Sequence, residues 1–144
     1  MEDVLRITEV LGGDRILGRK VDSPAALDDL VRKGLPYAAV EAVLKQVSVS
    51  VAELVALLAS SQRTIARRKA GKRLSAAESD RLARLARIFA QAEDVFEDKE
   101  KARRWLHKQN RALGGRTPLQ ALETDIGTLE VERILGRVEF GVYG

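Results

Sequence analysis

Apolar residues recur along this chain every three to four positions and nowhere alternate for long, so the pattern predicts helices throughout. Regularity is first legible at Ser23-Pro24, a serine cap followed by proline at the first helical position. Leu27, Leu30 and Val31 give that helix one apolar face, and Gly34 closes it. A second helix starts at Leu35-Pro36 and carries Ala39, Val40, Val43, Leu44 and Val47. Ser50, with Glu53 three residues on, reads as a capping box for a short helix over 51–58. A tight break at Ala59-Ser60-Ser61 follows, then another short helix from Gln62 to about Ala70, ended by Gly71.

Leu74-Ser75 opens the longest predicted helix, with Glu78 at the box position and a stripe of Leu82, Leu85, Phe89, Ala92 and Phe96. Asp98 and Glu100 favour the start of another by offsetting its N-terminal dipole, and Ala102, Trp105, Leu106 and Leu113 continue it to the break at Gly114-Gly115. Thr117-Pro118 starts again, and the last helix carries Val131, Ile134, Leu135, Val138 and Val142. Residues 1–23 resist this reading, because Leu11-Gly12-Gly13-Asp14 and Leu17-Gly18 interrupt any period. The expected organisation is all-α: an N-terminal arm or loosely packed segment over 1–23, a DNA-binding-sized helical core over 24–96, and a small helical domain over 97–144.

Composition narrows the classes. Charged residues make up 32% of the 144 positions and aromatic residues 4%, which suits helices with solvated faces. Cysteine is absent, so disulfide scaffolds, thiol nucleophiles and cysteine-ligated metals are excluded. No apolar run approaches the roughly 18 residues of a membrane span, and Met-Glu-Asp lacks a basic leader, so a cytoplasmic protein without membrane contact is expected. Charge is unevenly placed. Between Ser60 and Arg87 nine basic residues face only Glu78 and Asp80, whereas from Leu113 onward acidic residues prevail, and two surfaces of opposite charge suggest two different partners.

The segment Val51 to Arg68 has helix-turn-helix spacing: Leu54, Leu58 and Ile65 fall where two crossing helices bury apolar groups, and Ala59 sits at the turn. Two positions depart from the motif, since Ala59 replaces the usual glycine and Ser60 the usual apolar residue. An ordinary helix pair with a solvated basic face is the bland alternative; six cations between Arg63 and Arg73 without an acid favour phosphate binding. Gln62, Arg63 and Arg67 are the expected base readers, because a recognition helix presents its N-terminal residues to base edges. Ser61, Thr64, Arg68, Lys69, Lys72 and Arg73 are expected to hold phosphates, although Lys72 and Arg73 read equally as a solvated loop. A homodimer is expected, because one such motif buries little DNA.

Enzymatic signals are thin. His107, beside Trp105 and Leu106, reads as a partly buried structural residue, Trp105 reads as core, and neither glycine pair has the lysine of a phosphate loop. No catalytic residue, metal site or cofactor is expected. On the last helix Arg133, Arg137 and Phe140 fall together, with Gly144, on the side away from the apolar stripe. An arginine-flanked aromatic there reads equally as an interface hot spot or as a single exposed ring.

Several runs together resemble a known family. Asn110-Arg111-Ala112-Leu113-Gly114-Gly115-Arg116-Thr117-Pro118-Leu119 and Leu135-Gly136-Arg137-Val138-Glu139-Phe140-Gly141-Val142 look like the toxin-binding domain of the Xre/MbcA/ParS-type antitoxins. Arg63-Thr64-Ile65-Ala66-Arg67-Arg68, Leu74 through Leu82, and Lys101-Ala102-Arg103-Arg104-Trp105-Leu106 resemble the same family's Xre-like helix-turn-helix half. The resemblance runs from about Pro24 to Gly144. It implies an antitoxin, not an enzyme, that neutralises a cognate RES-domain toxin consuming NAD or transferring ADP-ribose from it, and that represses its own operator DNA as a dimer within a larger toxin–antitoxin complex. It further implies that the C-terminal end covers the toxin's NAD pocket, a role falling on Arg137, Glu139, Phe140, Val142 and Tyr143, with Arg133 and Gly144 beside them. The alternative is a stand-alone Xre-type dimeric transcription regulator without a toxin partner.

Overall fold

The computed structural model describes residues 2–139, and all of its regular elements are helical. The chain forms two compact units, Met1–Arg87 and Ile88–Gly144, which divide inside the longest helix rather than at its end, where the sequence reading placed the boundary. In the first unit lie α1 (Glu2–Val10), α2 (Gly13–Leu17), α3 (Pro24–Lys33), α4 (Tyr37–Val47), α5 (Val51–Leu57) and α6 (Gln62–Lys69). Helix α7 (Ala76–Phe96) begins there and ends in the second unit, which adds α8 (Lys99–Leu106), a 3-10 turn (Arg111–Leu113), α9 (Pro118–Ala121) and α10 (Asp125–Glu139).

The caps read from the sequence are in place. Ser23 accepts from the Ala26 N–H, and Ser50 with Glu53, Ser75 with Glu78, and Thr117 with Gln120 close reciprocal boxes. The expected arm over 1–23 is corrected. Val4, Ile7, Val10, Leu11, Leu17 and Val21 are all buried, and α1 packs against α2, α3 and α4. The Gln46 side-chain amide donates to the Glu9 and Val10 carbonyls at 3.0 and 3.1 Å, satisfying the last carbonyls of α1. The Gly12-Gly13 pair that hid this helical period is its break, with both glycines at positive φ.

The first unit is stitched at residues 34–36. Leu74 donates its N–H to the Leu35 carbonyl at 2.9 Å, and the Leu35 N–H reaches the buried Ser79 hydroxyl at 2.7 Å. Gly34 has φ 103, and a Cβ there would run into the Leu74 carbonyl, so the close approach requires glycine.

In the second unit Ile88, Phe89 and Ala92 are buried, Phe96 stacks at a tilt on Trp105 with ring centroids 5.7 Å apart, and Val131, Ile134 and Leu135 complete the core. The helix expected to run on to Gly114 stops at Leu106 instead. Asn110 accepts from the Ala112 N–H and donates its own N–H to the Arg116 carbonyl, which winds 110–116 into a turn. Gly127, in the first turn of α10, sits so close to α9 that an added Cβ would strike the Ala121 carbonyl.

Candidate nucleic-acid interface and the C-terminal helix

The turn between α5 and α6 is built from backbone hydrogen bonds. Ser60 donates its N–H to the Val55 carbonyl and Ala59 to the Ala56 carbonyl, each at 3.1 Å, which is the Schellman arrangement that closes a helix through a left-handed residue. That residue is Ala59, at φ 51, a conformation that favours glycine. Ser61 then caps α6 by accepting from the Thr64 N–H, while Ile65 buries its side chain and Gln62, Arg63, Arg67 and Lys69 stay exposed. The sequence-derived base readers therefore lie along one short solvent-facing helix.

Two of the expected phosphate contacts have other work. The Arg68 guanidinium donates to the buried Glu78 carboxylate at 3.1 Å, and the Arg73 guanidinium donates to the Gly34 carbonyl at 2.7 Å. Glu78 also accepts from the Ser75 N–H at 2.8 Å and from the Ser60 hydroxyl at 3.1 Å. Burial alone would raise this carboxyl, yet the Ser75 N–H, the Ser60 hydroxyl and the Arg68 guanidinium together hold it below the usual glutamate range. One carboxylate thus ties the turn, α6 and the start of α7 together, and it gives the polar Ser60 a partner at the position where the motif usually has an apolar side chain. In the sequence Glu78 shows only as a cap, because its partners Arg68 and Ser60 lie 10 and 18 residues away. Thr64 is half-buried and accepts from the Ser61 hydroxyl, and Lys72 is exposed beyond the end of α6.

On α10 the buried residues Val131, Ile134 and Leu135 leave an outer face on which Ile126, Leu129, Arg133 and Arg137 recur at helical spacing. Ile126 is 71% exposed and Leu129 51%, both large for apolar side chains on a structured helix. Arg133 pairs with Glu130 at 2.9 Å, and Arg137 is half-buried. Phe140, Val142, Tyr143 and Gly144, together with the Glu139 side chain, lie outside the described residues. Ile126 and Leu129 were missed from sequence because the stripe was read only from Val131 onward; they stand seven and four residues before Arg133 on the same side. His107 closes α8, its ring nitrogen 2.9 Å from the Arg103 carbonyl, and is exposed rather than partly buried. No helix among the described residues is long and apolar enough to cross a membrane.

Comparison with known proteins divides the chain along similar lines. Residues 26–87 match the Xre-like helix-turn-helix domain of antitoxins, and residues 91–141 match the Xre/MbcA/ParS C-terminal toxin-binding domain. Antitoxin Xre of Photorhabdus laumondii is 32% identical over 130 residues, which cover 89% of this chain and 88% of that protein. Antitoxin Xre of Yersinia enterocolitica is 33% identical over 135 residues, covering 90% and 91% respectively. Antitoxin Xre of Pseudomonas putida is 48% identical over 71 residues, about half of each chain. With a DNA-binding helix pair in its first half and a toxin-binding domain in its second, this chain belongs to the Xre antitoxin family.

Proposed function

We propose that this chain neutralises a RES-domain toxin, a class that consumes NAD or transfers ADP-ribose from it, and represses the operon encoding the pair. The observation that carries the toxin half is the outer face of α10: two well-exposed apolar side chains, Ile126 and Leu129, in line with Arg133 and Arg137 within the segment matching the toxin-binding domain. An apolar centre flanked by arginines has the composition of a protein-interface hot spot. In this reading Ile126 and Leu129 anchor the toxin, Arg133 and Arg137 continue the contact, and Glu139, Phe140, Val142, Tyr143 and Gly144 reach the NAD pocket.

For the DNA half, Gln62, Arg63 and Arg67 read base edges, while Ser61, Thr64, Lys69 and Lys72 hold phosphates. Arg68 and Arg73 position the motif from behind, as their contacts with Glu78 and Gly34 favour. Two copies reading two half-sites supply the contact area that one motif lacks. The toxin half is tested by co-expressing the chain with the RES-domain protein encoded beside it. Rescue of growth and co-purification of the two support the proposal, and a neighbour that is harmless alone contradicts it. For the DNA half, a gel-shift series on the operon's upstream region should show Arg63→Ala or Arg67→Ala costing about 1–3 kcal/mol and relaxing base preference.

A further inference from the structure

The second unit carries a basic surface of its own, built from residues that follow the helix-turn-helix in sequence. Seven cations lie between Lys99 and Arg116, against one acid, Glu100. Glu100 is spent on Arg103, which it meets at 3.2 Å. At 100° per residue Arg104 lies directly away from the buried Ala102 and Leu106, with Lys101 to one side of it and the Glu100–Arg103 pair to the other. Lys101, Arg104, Lys108 and Arg111 have no ion-pair partner among the described residues. These four exposed cations give this part of the unit a positive potential, which attracts anions.

Beside this stripe lies a cleft of about 660 Å³ lined by Trp105, Lys108, Gln109, Asn110, Arg111 and Ala112. Trp105 was expected in the core. It is half-buried instead, packed on Phe96 and also part of the cleft wall. An indole in a cleft rimmed by unpaired cations is the arrangement by which proteins hold single-stranded nucleic acid, the bases stacking on the ring and the backbone following the charge. We infer that this surface is a second nucleic-acid site, which binds a single strand with an unstacked base against Trp105 and phosphates along Lys101, Arg104 and Lys108. These three residues extend over about 10 Å, more than one nucleotide occupies, so a polymer fits the stripe better than a free nucleotide. An acidic protein face would match the charge but would leave the indole unused.

Trp105 is the chain's one tryptophan, so its fluorescence reports this site without interference. Titrating the full chain with an eight-residue oligothymidylate at about 50 mM salt should quench the emission. Three phosphate contacts to a single strand predict a slope near −2 in log affinity against log salt, about 100-fold weaker binding per tenfold rise in salt. The triple variant Lys101→Ala/Arg104→Ala/Lys108→Ala, with unchanged circular dichroism, should lose the quenching. The variant Arg63→Ala/Arg67→Ala should keep it, which separates this site from the helix-turn-helix. Absence of quenching in the unaltered chain, its persistence in the triple variant, or its loss in the Arg63/Arg67 variant would each overturn the inference. Equal quenching by thymidine monophosphate would overturn the polymer assignment, and loss of toxin capture with quenching intact in the triple variant would give the surface to an acidic protein instead.

Discussion

Replacing Glu78 by glutamine removes one charge and almost no volume from the carboxylate that ties α6 to α7. Glutamine keeps one carbonyl oxygen for the Ser75 N–H and the Arg68 guanidinium, and the Ser60 hydroxyl can turn to accept from the new amide. What is lost is the charge assistance. A hydrogen bond to a charged group contributes about 1.5–3 kcal/mol against about 0.5–1.5 for a neutral one, so the expected loss is about 1 kcal/mol. The figure stays at the lower end because the Arg68 side chain is 29% exposed and water takes over part of its interaction. Glu78→Ala, which removes every one of these contacts and the capping box, should cost about 3 kcal/mol. Urea unfolding of the full chain at pH 7, followed by circular dichroism, measures both. The pH dependence gives an independent arm. The folded-state pKa of Glu78 lies below its unfolded value, so its stabilisation is complete above about pH 5 and is lost as pH falls through the folded value. The gap between wild type and Glu78→Gln should therefore narrow as the pH falls below about 5. A gap that is absent at pH 7, or one that does not narrow in acid, would refute the assignment of Glu78 as the tie.

Other expectations follow from single positions. Ala59→Gly relieves a left-handed alanine and should raise stability by about 0.5–1 kcal/mol after the greater chain entropy of glycine is subtracted, read as a shift in urea midpoint. Gly127→Ala drives a methyl into the Ala121 carbonyl and should cost about 1–3 kcal/mol, with toxin capture falling in parallel in a pull-down. Leu129→Asp leaves the fold intact, because the residue is exposed, but should weaken toxin binding at least about tenfold in a titration; unchanged affinity would remove the α10 face from the interface. Lys69→Ala should weaken all DNA sequences alike and reduce the salt slope by about one unit, in contrast to the loss of base preference expected at Arg63.

Local signals made most of the helices legible. The serine, threonine and proline caps at 23–24, 50, 75 and 117–118 act within four residues, so their side chains declare themselves in the sequence. The apolar stripes of α4, α7 and α10 were legible for the same reason, as each repeats over three turns or more. Helix α1 escaped because it is short and ends at a glycine pair, and because what holds it, Gln46 on α4, is 36 residues away. The same distance effect hid the role of Arg68: a basic residue on an exposed-looking helix is indistinguishable from a phosphate contact until its acidic partner is located. Trp105 was misplaced because aromatic residues at helical spacing are usually core, and its cleft depends on a turn at 107–112 where a continued helix was expected.

The proposed neutralisation can be measured by following NAD consumption by the purified neighbouring RES-domain protein as this chain is added, with the variant lacking residues 141–144 in parallel. Turnover should fall to background near saturating antitoxin, and the shortened chain should still co-elute with the toxin while turnover continues. NAD consumption that is indifferent to the full-length chain, or a shortened chain that silences the toxin completely, would contradict it.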